Sequence, residues 1–123
     1  MYELTITTDF GAAHRLPEYP GKCRNLHGHN WQVEVTVFGS KLNELGMLID
    51  FRILKEEVAL VIATLDHQFL NELTMIQSVN PTSENIAKYI YDSLAARPIF
   101  TSCIRVQSVK VWESPRSSVL YRG

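Results

Sequence analysis

The sequence lacks the features that mark membrane, secreted and nucleic-acid-binding proteins. No apolar run approaches the roughly 20 residues that a helix needs to cross a bilayer. Only two cysteines are present, Cys23 and Cys103, so no disulfide framework is expected. A formal net charge of −1 provides no overall basic surface for nucleic acid or an anionic membrane. The N-terminus has no basic stretch followed by an apolar segment, which predicts no signal peptide and a cytoplasmic location.

What is present is the composition of an ordinary globular domain. The chain has 123 residues, of which 46% are hydrophobic and 20% are charged. That length is sufficient for one hydrophobic core. No internal repeat, linker or low-complexity segment is visible. We therefore predict one domain that spans residues 1–123.

Hydrophobic periodicity predicts the element order ββααββ. Apolar and polar residues alternate, as in strands, over four segments: 2–14, 29–39, 103–113 and 119–122. Helical spacing indicates helices over 52–65 and 83–96, with Asp50 as the candidate cap of the first and capping residues within 81–85 at the start of the second. A change of parity in the third strand indicates a β-bulge near Ser108. The predicted fold class is α+β, an antiparallel sheet with two helices packed on one face. A four-stranded sheet of this kind has two unpaired edges, which favours homo-oligomers.

Three histidines share the predicted core face of the first two strands. Because side chains alternate along a strand, His14 lies on the face of Phe10, and His27 and His29 lie on the face of Trp31. If the strands pair antiparallel, the three imidazoles meet. A single histidine of this kind more often bonds a backbone carbonyl, but three buried imidazoles without a common partner would cost about 1–3 kcal/mol each. Three neutral nitrogen ligands with an open fourth position predict a catalytic zinc site.

Cys23 lies four residues before His27 and hence close to the predicted metal. A thiol in this position can be a ligand, a general base or a nucleophile, because a nearby cation lowers its pKa. Three histidines already complete a catalytic ligand set, so we favour a base beside the metal. Cys103 is expected to be a small core residue. A basic cluster flanks the site and could contact an anionic substrate: Arg15, Lys22 and Arg24.

Two acidic groups each admit two interpretations. Asp66 and His67 are adjacent and could transfer protons. Such a pair at a helix end is commonly only a cap with a C-terminal cation, and from the residues alone we favour that interpretation. Glu113 ends an inward-facing apolar row, where a carboxylate is costly to bury unless it binds something. It could accept two hydrogen bonds from the amidine-like edge of a pterin or guanine; a solvated strand end is an equal alternative.

Several short motifs occur in a fixed order: Ala-Ala-His14-Arg-Leu, Cys23-x3-His27-Gly-His29-Asn, Ile49-Asp-Phe, Leu65-Asp-His67, Asn80-Pro-Thr-Ser-Glu84-Asn and Trp112-Glu113. Together they cover essentially the whole chain and resemble the 6-pyruvoyltetrahydropterin synthase family, most closely its bacterial queuosine-pathway branch. The spacing Cys23-x3-His27 is similar to that branch, whereas tetrahydrobiopterin-type members usually have a longer gap. A folate-related branch uses a glutamate in this loop, and Arg24 after the cysteine argues against that role.

The resemblance implies a role for each candidate residue. Cys23 would be the catalytic proton acceptor, and Asp66 with His67 would form the second proton-transfer group. Glu113 would anchor the pterin ring. Zinc would be held by the three histidines, His14, His27 and His29. Further substrate contacts are expected from Thr82, Glu84 and Arg24.

The resemblance also implies an assembly and a reaction. The implied fold is the tunnelling fold, in which trimers of ββααββ subunits stack as a homohexamer with active sites between subunits. The implied zinc-dependent lyase converts 7,8-dihydroneopterin triphosphate into 6-carboxy-5,6,7,8-tetrahydropterin, acetaldehyde and triphosphate. One alternative is a pyruvoyltetrahydropterin synthase, which eliminates triphosphate without cleaving the side chain. A non-catalytic zinc- or pterin-binding protein is a weaker alternative, because a binder needs neither the thiol nor the Asp-His pair.

Overall fold

The computed structural model of the protein describes residues 1–76 and 78–123. Within these residues a five-stranded sheet packs against two α-helices, which confirms the predicted α+β class. The strands are β1 (Tyr2–His14), β2 (His27–Gly39), β3 (Gln68–Phe69), β4 (Arg105–Ser114) and β5 (Ser117–Tyr121). The helices are α1 (Phe51–Ile62) and α2 (Ser83–Ala95). Neither helix has the length and apolar character needed to cross a membrane.

Strands β1 and β2 form a long antiparallel hairpin that continues to the residues beside the connecting loop. Its cross-strand pairs run from Tyr2 with Gly39 to His14 with His27. Strand β2 therefore begins at His27 and not at residue 29, because its pairing with β1 continues past the pair of Ala12 and His29 to the pair of His14 and His27. The antiparallel register expected from the alternation is confirmed.

The apolar face of the sheet forms the core with the two helices. Phe10 and Trp31 stack with ring centroids 6.0 Å apart, and both are almost completely buried. Each helix begins at a capping residue, as the sequence predicts. The Asp50 side chain accepts a hydrogen bond from Arg52 N at the start of α1, and Thr82 caps α2. The helices end one to three residues before the predicted boundaries.

The sheet has a short fifth strand that the sequence did not reveal. Its order is β3-β1-β2-β4-β5, and β3 pairs parallel to β1 through Ala12 with Gln68 and Ala13 with Phe69. The prediction of four strands is thus wrong by one. A two-residue strand is too short to show an alternation, and its parallel pairing depends on how the chain returns after α1.

Strand β4 carries the predicted bulge, but it begins later than expected. Thr36 pairs with Ser108 and Val37 pairs with Val106, so one extra residue lies between them and the bulge is confirmed. The prediction that Cys103 is a core residue is wrong: it is exposed. Cys103 lies before β4, which begins at Arg105, and its backbone N–H donates to Thr101 Oγ1 at 3.1 Å. The buried face of the strand therefore does not include Cys103.

Candidate metal centre

The hairpin of β1 and β2 brings three imidazoles together at its loop end. The ring centroid of His14 lies 4.4 Å from that of His27 and 5.1 Å from that of His29. The centroids of His27 and His29 are 4.7 Å apart. One nitrogen from each ring and one carboxylate oxygen of Glu113 all lie within 4.8 Å of one another. The structure therefore collects the three histidines that the alternation placed on one face, and adds an acid to them.

The inner nitrogens of the three rings have no hydrogen-bond partner within the described part of the chain. These are the buried Nε2 atoms of His14, His27 and His29. The outer nitrogens of two rings are satisfied: His14 Nδ1 donates to the Pro81 carbonyl at 2.8 Å, and His27 Nδ1 donates to the Asn25 carbonyl at 2.7 Å. Because a carbonyl only accepts, the proton of each ring is on Nδ1 and the lone pair is on Nε2.

This donor set fits a zinc ion with catalytic coordination. A buried ring nitrogen without a partner costs about 1–3 kcal/mol, and one ion would satisfy all three nitrogens at once. The Pro81 and Asn25 carbonyls would act as the outer partners that fix the orientation and tautomer of ligating histidines. The Pro81 carbonyl could not be assigned from the sequence, because its contact with His14 spans 67 positions of the chain.

Glu113 points towards the histidines and is partly exposed. Its Oε1 lies 3.4 Å from His29 Nε2, and its Oε2 accepts a hydrogen bond from Ser83 Oγ at 3.4 Å. The side chain is 31% exposed, so one side of the carboxylate stays accessible from outside. Such a carboxylate can complete a metal's coordination or bind a substrate beside the metal. The Ser83 hydroxyl was not recognised from the sequence as part of this site.

Burial lowers the pKa of two of the three histidines. Desolvation is the main cause for both His14 and His29, and the charge of Glu113 opposes it in part. The Pro81 carbonyl also raises the pKa of His14, by less than desolvation lowers it. A lowered pKa favours the neutral imidazole at pH 7, which is the form that binds a metal.

The metal-free protein is expected to lose stability as the pH falls below 6.5, the ordinary pKa of histidine. The unfolded chain binds protons on these histidines at a higher pH than the folded chain, so their contribution to the free energy of unfolding is complete above pH 6.5 and decreases below it. Urea unfolding of chelator-treated protein between about pH 7.5 and 5.5 measures this change. Asp66 also has a lowered pKa, but its contribution to the free energy of unfolding is lost only as the pH falls below its ordinary value of 3.8. A stability that stays constant or increases across this range would contradict the prediction.

Asp66 and His67 contact each other at the outer edge of β1. Asp66 Oδ2 lies 3.0 Å from His67 Nδ1. Asp66 Oδ1 accepts from Gly11 N at 3.0 Å, and His67 N donates to the Gly11 carbonyl at 2.6 Å. The hydrogen bond from Gly11 is the main reason that the pKa of Asp66 is lowered. The carboxylate and the imidazole thus form a pair, whereas from the residues alone we favoured a simple helix cap. The His67 side chain is 88% exposed.

Cys23 lies in the loop that joins β1 to β2, in a single 3₁₀ turn, Lys22–Arg24. Its side chain is half-buried, and its backbone carbonyl accepts from Leu16 N at 2.7 Å. The thiol is not among the four convergent ligand groups of the described residues. The thiol is therefore not placed as a fourth ligand, and its role as a base stays a prediction. The basic side chains of Arg15, Lys22 and Arg24 are exposed in the same loop.

The segment before α2 supports the site more through its backbone than through the predicted contacts. The Thr82 hydroxyl accepts from Asn85 N at 3.2 Å and caps the helix. Glu84 is exposed in the first turn. The structure therefore places Thr82 and Glu84 one and three residues after Pro81, whose carbonyl holds His14. Among the described residues, neither side chain forms a hydrogen bond with the three histidines.

Comparisons with known proteins cover nearly the whole chain. A family model described as 6-pyruvoyl tetrahydropterin synthase matches residues 3–123. A Synechocystis protein named 6-carboxy-5,6,7,8-tetrahydropterin synthase is 39% identical over 91% of this chain and 86% of its own. A Drosophila melanogaster 6-pyruvoyl tetrahydrobiopterin synthase is 34% identical over 98% and 79%. The solved structure of Caenorhabditis elegans 6-pyruvoyl tetrahydropterin synthase superposes with a TM-score of 0.85 at 29% identity, covering 99% of this chain and 95% of the other. The predicted fold is confirmed.

Proposed function

The chain belongs to the 6-pyruvoyl tetrahydropterin synthase family, and from this premise we propose that it is the carboxytetrahydropterin-forming lyase of queuosine (7-deazaguanine) biosynthesis. It converts 7,8-dihydroneopterin triphosphate into 6-carboxy-5,6,7,8-tetrahydropterin, acetaldehyde and triphosphate. The observation that carries the proposal is the convergence, beside a carboxylate, of three Nε2 atoms that form no hydrogen bond within the described residues, with a thiol in the adjoining loop. The name of the Synechocystis relative supports the same branch.

Zinc is the proposed cofactor, held by the Nε2 atoms of His14, His27 and His29. When bound, it would polarise and acidify hydroxyl groups of the substrate side chain. The chain's own contribution is to hold the three rings in one orientation. The Pro81 and Asn25 carbonyls do this for His14 and His27, because each hydrogen bond fixes the ring plane and keeps the proton on Nδ1.

Glu113 is proposed to anchor the pterin ring. A carboxylate can accept two parallel hydrogen bonds from the amidine-like edge of the ring, and charge-assisted bonds of this kind fix orientation. The Ser83 hydroxyl, which donates to Oε2, restrains the carboxylate while Oε1 faces His29. An anchored ring would present its side chain to the histidine cluster.

Two groups are proposed to move the protons of the side chain. Cys23 accepts a proton as the thiolate. His67 exchanges the second proton, and Asp66 orients its imidazole through the contact with Nδ1. The hydrogen bond from Gly11 keeps Asp66 ionised, which allows it to stabilise the protonated ring. Arg24, with Arg15 and Lys22, is proposed to attract the triphosphate; Thr82 and Glu84 remain proposed substrate contacts.

The proposed assembly is a homohexamer, a dimer of trimers, with active sites shared between subunits. Two observations support it: the sheet ends on both sides in short outer strands, β3 and β5, and the catalytic candidate His67 is exposed at the β1 edge. Short strands leave most of the neighbouring backbone free to pair with another chain. A cytoplasmic location is part of the same proposal.

Anaerobic incubation of zinc-loaded protein with 7,8-dihydroneopterin triphosphate tests the proposed reaction. We expect mass spectrometry to identify 6-carboxy-5,6,7,8-tetrahydropterin together with acetaldehyde and triphosphate. Product formation should cease after chelation and return when zinc is added.

The other outcomes of this incubation separate the remaining functions. Accumulation of 6-pyruvoyltetrahydropterin would replace the proposal with the activity named for the Drosophila relative. Retention of both zinc and pterin without turnover would instead indicate a binding protein.

A further inference from the structure

We propose that Asn71 is a positioning residue for catalysis: its side-chain amide clamps the backbone of Arg15 and so holds the loop 15–26, which carries Cys23. This inference deepens the proposed function and rests on it, because it assigns Asn71 to the placement of the proposed catalytic thiol. Asn71 is not among the residues proposed above to bind the metal or the substrate.

The clamp consists of two reciprocal hydrogen bonds between one side chain and one backbone residue. Arg15 N donates to Asn71 Oδ1 at 2.9 Å, and Asn71 Nδ2 donates to the Arg15 carbonyl at 2.9 Å. An amide has an acceptor and a donor side by side, so it can satisfy both backbone groups in this orientation. Aspartate retains only the acceptor, and alanine retains neither.

The clamp is the last of a series of contacts along the outer edge of β1. Asp66 and His67 bond both backbone groups of Gly11, and β3 pairs beside Ala12 and Ala13. Strand β1 ends at His14, so beyond that residue no ladder is available for the backbone. The Asn71 amide takes the place of a ladder partner at Arg15 and extends the support by one residue into the loop.

The residue after the clamp connects directly to Cys23. Leu16 N donates to the Cys23 carbonyl at 2.7 Å, which closes the loop on itself. The clamped Arg15 lies between His14, a proposed zinc ligand, and Leu16. Fixing Arg15 therefore fixes the spacing between the metal position and the turn that carries the thiol. A misplaced thiol would lower the rate of proton transfer more than it would weaken substrate binding.

Asn43 provides a matched control elsewhere in the chain. Its Oδ1 also accepts two backbone hydrogen bonds, from Leu45 N at 2.9 Å and Met47 N at 3.0 Å. These bonds order a loop that carries none of the proposed catalytic groups. An Asn43→Ala change removes the same side-chain atoms and the same number of hydrogen bonds.

The test compares Asn71→Ala, Asn71→Asp and Asn43→Ala in the zinc-loaded full-length chain. We expect Asn71→Ala to lower kcat by about 10–100-fold, as for other groups that orient a catalytic residue, with KM changing less than about threefold. Asn71→Asp should also lower kcat, because it keeps the bond to Arg15 N but turns a carboxylate oxygen towards the Arg15 carbonyl, which only accepts. Hydrogen–deuterium exchange should accelerate within residues 15–26 of Asn71→Ala and stay unchanged in the helices. Asn43→Ala should retain wild-type kcat.

Three results would overturn the proposal: a kcat of Asn71→Ala within about twofold of wild type, an equal loss in Asn43→Ala, or exchange that accelerates uniformly along the chain. If the wild type does not turn over the pterin triphosphate, the proposed function fails. The exchange measurement then decides separately whether Asn71 holds the loop: unchanged exchange over residues 15–26 would refute the clamp.

Discussion

Replacing Cys23 with alanine is expected to lower kcat by about 10²–10⁴-fold, the range that general acid–base groups contribute, while the zinc content per subunit stays unchanged. The physical reason is the placement of the thiol: it lies in the 3₁₀ turn of the loop, outside the set of convergent ligand groups. Steady-state kinetics with metal analysis of the same samples measures both quantities.

Cys103→Ala is the matched control for this prediction. Cys103 is the other free cysteine and is exposed just before β4. Its replacement also deletes one thiol, but outside the loop that adjoins the histidines. It should retain wild-type kcat and zinc content. Turnover by Cys23→Ala at the wild-type rate would remove Cys23 from the mechanism, and a parallel loss of zinc would make it a ligand.

Mixing two inactive variants is expected to restore activity if active sites are shared between subunits. Cys23→Ala and His67→Ala subunits would be unfolded together, refolded and allowed to assemble at random. About one quarter of the sites would then combine an intact Cys23 from one subunit with an intact His67 from its neighbour. Activity should rise from nearly none towards one quarter of that of the wild type.

The reason for expecting recovery is the position of His67. Its side chain is 88% exposed at the outer edge of β1, where it can face a neighbouring chain. Refolded Cys23→Ala alone and His67→Ala alone are the controls. If each site used both residues from one subunit, no mixed site would be complete. A mixture as inactive as its two components would therefore contradict the shared site.

The features that the sequence predicts correctly depend on local periodicity. Alternation along two strands places His14, His27 and His29 on one face, and a hairpin between consecutive strands is enough to bring them together. Asp50 and Thr82 are capping residues that mark the helix starts. These signals are local, so no knowledge of the tertiary fold is needed to recognise them.

The features that the sequence does not reveal depend on contacts distant in the chain. Pro81 reaches His14 across 67 positions, and Asn71 reaches Arg15 across 56. Neither contact has a periodic signature. The exposure of Cys103 has a different reason: strand β4 starts only at Arg105, and the apolar character of the preceding residues does not show where pairing begins.

The central claim is that three imidazoles hold the metal and leave the Cys23 thiol free to accept a proton. X-ray absorption at the zinc edge of the zinc-loaded protein tests it most directly. We predict a shell of nitrogen and oxygen atoms at about 2.0–2.2 Å that includes three imidazoles, and no sulfur. A sulfur atom at about 2.3 Å would show that Cys23 is a ligand, and would contradict both the open catalytic site and the thiolate base.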